Sequence, residues 1–259
     1  MAAHVTCLWG KPPAPDSLPA RLEELLVERG CEVRRRLPHD EPVDPDAVRA
    51  DLVVHRGLGA RDEPVLAALH GRGVPLCNPW AGTHALLDRR RWSPLLHDAD
   101  LPAPALTAFD TWAELLLAVD TEVVVKAASG TGHGATVLSG DAASLPDDAP
   151  FEGPFLVEPL LRHDGTDRKL YVAGSSVRAL RKPSTLAAGH VTTGEPFDPE
   201  EDLRDLALRV GGALGVHLYG VDVVLTDAGP VVVDVNAFPG FRGVDGADVL
   251  VADHVLTHL

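Results

Sequence analysis

The chain has 259 residues, 45% of them hydrophobic, enough for a substantial core in one large domain or two to three small ones. With 23 basic against 38 acidic residues its formal net charge is −15, which argues against nonspecific binding to nucleic acid or to an anionic membrane. Cys7, Cys31 and Cys77 are odd in number and lack CxxC spacing, so they read as small buried hydrophobes in a reducing compartment rather than zinc ligands or disulfides. The opening MAAHVTCLWGKPPAPDS has no basic n-region, sufficient apolar run or cleavage site. No stretch approaches the roughly 20 apolar residues of a membrane helix. A soluble, cytoplasmic protein is expected.

The first part of the chain alternates strand and helix patterns. HVTCLW reads as a short strand, and LPARLEELLVERG as a helix with Leu18, Leu22, Leu25 and Leu26 on one face and Gly30 as its stop. DLVVH (51–55) and VPLC (74–77) read as strands separated by a helical EPVLAALHGRG, and this alternation predicts a parallel sheet. Arg34 to Arg36 read as a solvated face. From Thr83, THALLDRRRWSPLLHDADLPAP reads as helix until its prolines. A strand EVVVK follows, then the glycine-rich turn SGTGHG, a strand ATVL and a polar loop. The last segment opens on FLVEPLL and holds strands around Lys169–Ala173 and Val177–Leu180, then a flexible loop from Pro183 to Pro199. A helix then places Leu203, Leu206, Ala207, Val210 and Leu214 toward the core. A β-hairpin and a terminal helix complete the pattern.

The hairpin, YGVDVVLTDAGPVVVDVN, carries polar groups where a buried strand should not. A three-residue loop, Asp227-Ala228-Gly229, sets residue 226 opposite 230 and therefore Asp222 opposite Asp234. Asp234 and Asn236 share a face because strand side chains alternate. Opposed Cβ atoms lie about 4.5–5.5 Å apart, so three oxygen-bearing side chains converge. Two carboxylates that close repel unless a cation sits between them. A hard oxygen set of this kind suits Mg²⁺ completed by phosphate oxygens. The alternative is a solvent-facing polar stripe with no metal.

In VVVKAASGTGHGATVL, a dinucleotide fingerprint would need a helix after the glycines, whereas ATVL continues as strand. No GKS or GKT exists for a Walker loop. A hairpin laying backbone N–H groups over phosphates remains, with Lys126 neutralising their charge. An ordinary surface hairpin with a snorkelling lysine is the other possibility.

In this order, the pieces resemble the ATP-grasp superfamily over most of the chain. They are a small α/β start, a helix carrying Asp88-Arg89, Lys126 with its glycine loop, FLVEPLL, DGTDRKLYVAG, RKPS and finally GVDVV…VVVDVNAFPGFRGV. The ending is similar both to RimK-like amino-acid ligases and to the inositol 1,3,4-trisphosphate 5/6-kinase family. The latter shares the DVNAFPG wording and an arginine at position 89, where most ligases have lysine.

The resemblance implies an α/β (α+β) ATP-grasp fold. Residues 1–82 would be an N-terminal α/β domain, 83–157 a central lobe with the glycine loop, and 158–259 a C-terminal lobe with the metal site. It implies ATP and Mg²⁺ as cofactors, with two ions and Mn²⁺ as an alternative metal. Asp222, Asp234 and Asn236 would bind the metal, while Arg89, Lys126 and Lys169 would meet ATP phosphates or base. Gly130, Gly132 and Gly134 would cover the γ-phosphate, and the backbone of Glu158, Pro159, Leu160 and Leu161 would form the adenine hinge. Lys169, Lys182 and His133 are the implied catalytic residues. Lys11, Arg56, His133, Lys182, Ser184, Pro239 and Gly240 would face a small-molecule or peptide acceptor. The expected activity is carboxylate–amine ligation through an acyl phosphate, with kinase action on an inositol phosphate or related polyol as runner-up. A non-catalytic ATP-binding module is disfavoured by the intact set of Lys126, Asp222, Asp234 and Asn236. No nucleic-acid or membrane partner is expected.

Overall fold

The computed structural model describes residues 2–128, 137–184, 186 and 194–259. Among these residues the strands form three sheets, each with its own hydrophobic backing.

The first sheet has the order β2-β1-β3-β4, from β1 (His4–Trp9), β2 (Glu32–Arg36), β3 (Leu52–Arg56) and β4 (Leu76–Cys77), all parallel. Its central strands are buried on both faces, which is why they read as near-continuous apolar runs. Val5, Cys7 and Trp9 pack with Leu22 and Leu26 of helix α1 (Leu18–Glu28). Leu8 and Val53 pack with Leu66 and Leu69 of helix α2 (Glu63–Gly71) on the other side. Arg34 to Arg36, read as a solvated face alone, belong to β2. This is an edge strand, where charged side chains blunt unwanted pairing.

The helix expected from Thr83 is two helices, α3 (Trp80–Leu86) and α4 (Arg89–Asp98). Asp88 divides them, and its side chain accepts the Arg90 N–H at 2.8 Å as the N-cap of α4. Pro94 lies inside α4 instead of ending it, where Trp92 and Leu96 on either side are buried.

The second sheet, order β5-β8-β6-β7, is antiparallel. It contains β5 (Thr107–Phe109), β6 (Val123–Ala127), β7 (Val137–Gly140) and β8 (Phe155–Pro159), backed by helix α5 (Trp112–Ala118). Neither β5 nor α5 was expected, although Thr111 and Glu114 form a capping box at the start of α5 that sequence can show. The expected junction between 157 and 158 falls within β8.

The third sheet, order β11-β10-β9-β12-β13, is built from β9 (Thr166–Ala173), β10 (Ser176–Pro183), β11 (Glu195–Phe197), β12 (Leu218–Thr226) and β13 (Gly229–Ala237). β11 lies in the stretch expected as a flexible loop. Leu203, Leu206, Ala207, Val210 and Leu214 of helix α6 (Glu201–Leu214) are all buried against one face of this sheet. The opposite face meets the N-terminal sheet and helix α7 (Ala247–Leu256) through Tyr171, Ala173, Leu218 and Phe238.

Two polar residues fasten that junction. Asn78 donates from Nδ2 to the Leu218 carbonyl at 2.7 Å, and its Oδ1 accepts the N–H groups of His217 at 2.8 Å and Leu218 at 2.7 Å. His55 Nε2 in turn lies 2.8 Å from the Asn78 carbonyl. Burial pulls the His55 pKa down from 6.5 to about 4, against the opposing effect of that hydrogen bond. A histidine with a depressed folded pKa contributes stability that is present above the unfolded value and lost as pH falls. We therefore expect His55 to contribute a loss of about 3 kcal/mol as pH falls from 6.5 to 4. Urea unfolding of wild type and His55→Gln across that range measures it. The glutamine amide can still donate to Asn78, and parallel pH dependence in the two proteins would contradict the assignment.

Candidate active site

The hairpin β12–β13 sets the site, by a route the sequence did not reveal. Its loop has two residues, since Thr226 pairs with Gly229, and not the expected three. Carried along a regular ladder, that loop would place Asp222 opposite Val233 and turn Asp234 to the other face. A bulge between the pairs Val223–Val232 and Asp222–Asp234 absorbs one residue and restores the expected carboxylate pairing. Val221, Val223, Val232 and Val235 thereby all reach the α6 core, while Asp222, Asp234 and Asn236 are half-buried outside it. The bulged residue has a role of its own, because Lys126 Nζ donates to the Val233 carbonyl at 2.7 Å.

Each carboxylate at the site has a basic neighbour from a different element. Lys169, cross-strand from Asp222, places Nζ 2.9 Å from Asp222 Oδ1 and 3.1 Å from Oδ2. Only the Oδ2 contact has hydrogen-bond geometry, so Oδ1 is a buried carboxylate oxygen with an ionic neighbour and no hydrogen bond. Burial opposes the Lys169 charge, but Asp222, helped by Tyr171 and Asp234, outweighs it and holds the ammonium above the usual lysine range. Arg89, at the start of α4, reaches Asp234 Oδ1 with Nη2 and the Ala127 carbonyl with Nη1, both at 3.0 Å. Its buried Nε has no partner among the described residues. Asn236 Nδ2 donates to Asp234 Oδ2 at 3.3 Å. Lys126 Nζ pairs with Glu158 Oε2 at 2.6 Å, and both side chains are buried. Burial raises the Glu158 pKa, with Lys126 pulling the other way.

This donor set fits a divalent cation with phosphate ligands. It offers two carboxylates and an amide oxygen on one face, with one carboxylate oxygen lacking a hydrogen bond. Asp222, Asp234 and Asn236 would hold the ion. Lys126, Lys169 and Arg89 come from three separate elements to the same place.

The neighbouring cavity, of about 1390 Å³, has a wall that includes Arg89, Lys169, Asp234, Asn236, Lys182, Lys11, Arg56, Pro239 and Gly240. Lys126, Glu158 and Asp222 lie outside that wall. So does Ser184, which is buried with its N–H donated to the Gly165 carbonyl. In the expected hinge, Pro159 is exposed, Leu160 and Leu161 are half-buried, and the Leu160 N–H donates to Glu122. Gly130, Gly132, His133 and Gly134 lie outside the described residues.

The Phe-Pro-Gly-Phe turn after β13 is held by its aromatic rings. Phe238 and Phe241 both adopt left-handed backbone, φ 36° and 48°, a conformation costing on the order of 1 kcal/mol or more for a residue with a bulky side chain. Both rings are buried, Phe238 edge-on to Trp9 at 6.3 Å and Phe241 against Tyr171 at 5.1 Å. That burial offsets the strain, since sinking a phenylalanine contributes roughly 1.5–3 kcal/mol. The turn meets two arginines. Arg56 donates from Nε to the Phe238 carbonyl at 2.9 Å, and its Nη2 lies 3.3 Å from where a Gly240 Cβ would be. Burial lowers the Arg56 pKa, and repulsion from Arg242 lowers it further. Arg242, like Asn78, was absent from the sequence reading, although it stands only two residues beyond Gly240.

Three sheets arranged around a bulged hairpin of metal-ligand type make up an ATP-grasp fold. A structure of a RimK-domain ATP-grasp protein from Sphaerobacter thermophilus superposes with a TM-score of 0.77 at 25% identity, covering 99% of both chains. The ATP-grasp ligase PsnB, in a complex with minimal precursor, Mg and ADP, has the same fold at TM-score 0.69 and 18% identity over 98% of this chain and 96% of that one. The model of the inositol 1,3,4-trisphosphate 5/6-kinase ATP-grasp domain matches residues 191–257. A probable alpha-L-glutamate ligase of Xanthomonas campestris pv. campestris (strain B100) is 33% identical over 115 residues, 40% of this chain and 39% of that protein. The chain thus spans about two-fifths of the length of this curated relative. Within the ATP-grasp superfamily, the protein is RimK-like.

Proposed function

We propose that the chain is a Mg²⁺-ATP-dependent, ADP-forming ligase that joins a carboxylate to an amine. The observation that carries the acceptor class is the pair Arg56 and Arg242 at the Gly240 turn, whose mutual repulsion an acceptor carboxylate would relieve. Lys11 and Arg21 add positive charge to the same wall, against Asp16 and Asp248, in a protein whose overall charge is negative. A small acidic amino acid or a peptide with an acidic side chain fits this wall. The probable glutamate ligase supports the first and the PsnB peptide complexes the second.

In this reading residues 1–82 and the Pro239-Gly240 turn enclose the acceptor, and the lobes 83–157 and 158–259 enclose ATP. Asp222, Asp234 and Asn236 would hold two Mg²⁺ ions, and the chemistry these would supply is neutralisation of phosphate charge. Lys126, Lys169 and Arg89 meet the phosphates, the 158–161 backbone lines the adenine, and the glycines at 130, 132 and 134 cover the γ-phosphate. The acceptor carboxylate oxygen takes the γ-phosphoryl group and ADP leaves. The amine nitrogen then attacks the acyl carbon, phosphate departs with the C–O electron pair, and the nitrogen gives up a proton. The chain's contribution is positioning and charge neutralisation. We place this work in the cytoplasm, where ATP is made available; among the described residues no helix is long and apolar enough to cross a membrane.

Kinase action on a polyol phosphate is the second reading, favoured by the match over residues 191–257. Incubation with ATP and panels of amino acids, peptides and inositol phosphates, reading ADP and product mass, separates the two. Ligation predicts sustained ADP release and an amide product only when carboxylate and amine are both present, and Arg242→Ala should raise the acceptor KM at least about tenfold by removing a charge-assisted contact. A phosphorylated product from a hydroxyl acceptor alone would sink the ligase reading.

A further inference from the structure

Away from the ATP cleft, the fold gathers a second group of metal-binding side chains. Cys77 ends β4 of the N-terminal sheet, and His254 lies in the last turn of α7, with His258 just past its end. The three offer ligand atoms that all lie within 4.8 Å of one another. His254 Nε2 and His258 Nε2 are 3.2 Å apart. Two imidazole nitrogens on a tetrahedral zinc ion, each about 2.0–2.1 Å from the metal, are about 3.3 Å apart, and a thiolate sulfur would be about 3.6 Å from each. His217 adds a third imidazole, its ring centroid 5.7 Å from that of His254 and 5.2 Å from that of His258. None of these four residues lines the acceptor cavity.

We propose that Cys77, His254 and His258 form a zinc-class metal site that clips the N-terminal sheet to α7 of the C-terminal lobe, with His217 the neighbouring ring that would move in as a fourth ligand. The His-x₃-His pair, one member in the last turn of α7 and the other in the turn just beyond it, brings its ring nitrogens to one side at the spacing that metal sites use on helices. Gly174 makes room for it, because a Cβ there would lie 2.7 Å from His254 Nδ1. Its N–H donates to the His217 carbonyl at 2.9 Å, tying the β9–β10 turn to the same cluster. The pKa values of His217 and His254 are lowered, chiefly by burial and then by neighbouring imidazoles, which favours the neutral, ligating form. Burial pushes the Cys77 thiol up to about 12, so binding releases its proton to solvent as the thiolate forms. Sequence alone makes Cys77 a small hydrophobe, because its partners lie far away along the chain. The ion would be structural, since its protein ligands fill or nearly fill a tetrahedral shell.

The test uses the full, untagged chain, stripped with chelator and then kept in excess Mg²⁺ so that the oxygen site is filled. Titration with Co²⁺ should give one equivalent of tetrahedral absorption together with a thiolate-to-metal charge-transfer band, and Zn²⁺ should bleach both. Cys77→Ser should lose the charge-transfer band. His258→Gln, at an exposed residue whose loss does not threaten the fold, should lose the tetrahedral signal. Co²⁺ bound without a thiolate band, an unchanged spectrum in His258→Gln, or no Co²⁺ uptake by the wild-type chain would each overturn the site.

Discussion

Asp234→Asn is expected to lower ADP release at least about a hundredfold, the scale on which removal of one electrostatic stabiliser acts, while the fold survives. The substitution is nearly isosteric. An amide oxygen can still accept from Arg89 Nη2, now 3.0 Å from Asp234 Oδ1, so the contact between α4 and β13 persists. What disappears is a full negative charge on the face shared with Asp222 and Asn236, where the proposed Mg²⁺ ions need it. Coupled ADP detection with a thermal melt separates the two effects. Wild-type turnover in the variant would remove Asp234 from the metal site, and a collapsed melt would show that its charge is structural.

The second large effect lies far from the chemistry. Asn78→Ala is expected to cost about 3 kcal/mol or more, because three backbone groups lose their partner together in a buried place. Those groups are the N–H of His217, the N–H of Leu218 and the carbonyl of Leu218. For a chain of this size the corresponding fall in Tm is roughly 6–12 °C, read by calorimetry. Asn78→Asp keeps the acceptor but loses the donor to Leu218 and buries a charge, so it should not restore stability. A Tm within about 2 °C of wild type in Asn78→Ala, equivalent to at most about 0.5–1 kcal/mol, would mean that water replaces the amide at this joint.

These two residues also mark how far sequence reasoning reaches. The strands and helices with strong periodicity were legible, α6 and β3 among them, because their apolar spacing is a local property. Edge strands β2 and β11 were not, since a solvated edge carries no apolar pattern. The pairing of Asp222 with Asp234 was reached through the wrong loop, and the structure arrives at it by a shorter turn and a bulge. Arg89 and Lys126 could be grouped with the carboxylates only through family resemblance, because the contact from Arg89 to Asp234 spans 145 residues. Asn78 and Arg242 carry no local signal of their importance, which comes from what packs beside them.

The bulge at Val233 makes the parity of β13 a designed quantity. Residues before and after it obey opposite in–out rules, so Val232 and Val235 can both serve the core although three positions separate them. A transplant of this hairpin into another scaffold must carry the extra residue with it to keep the carbonyl that Lys126 meets. Deleting Val233 would close the bulge into a regular ladder that keeps Asp234 opposite Asp222, at the loss of the carbonyl that accepts from Lys126 Nζ. One residue added at the turn and fed into the ladder, with the bulge retained, would instead turn Asp234 and Asn236 toward the layer under α6. Tolerance of insertions, usually granted to exposed hairpin tips, is therefore withdrawn here by a carboxylate six residues upstream.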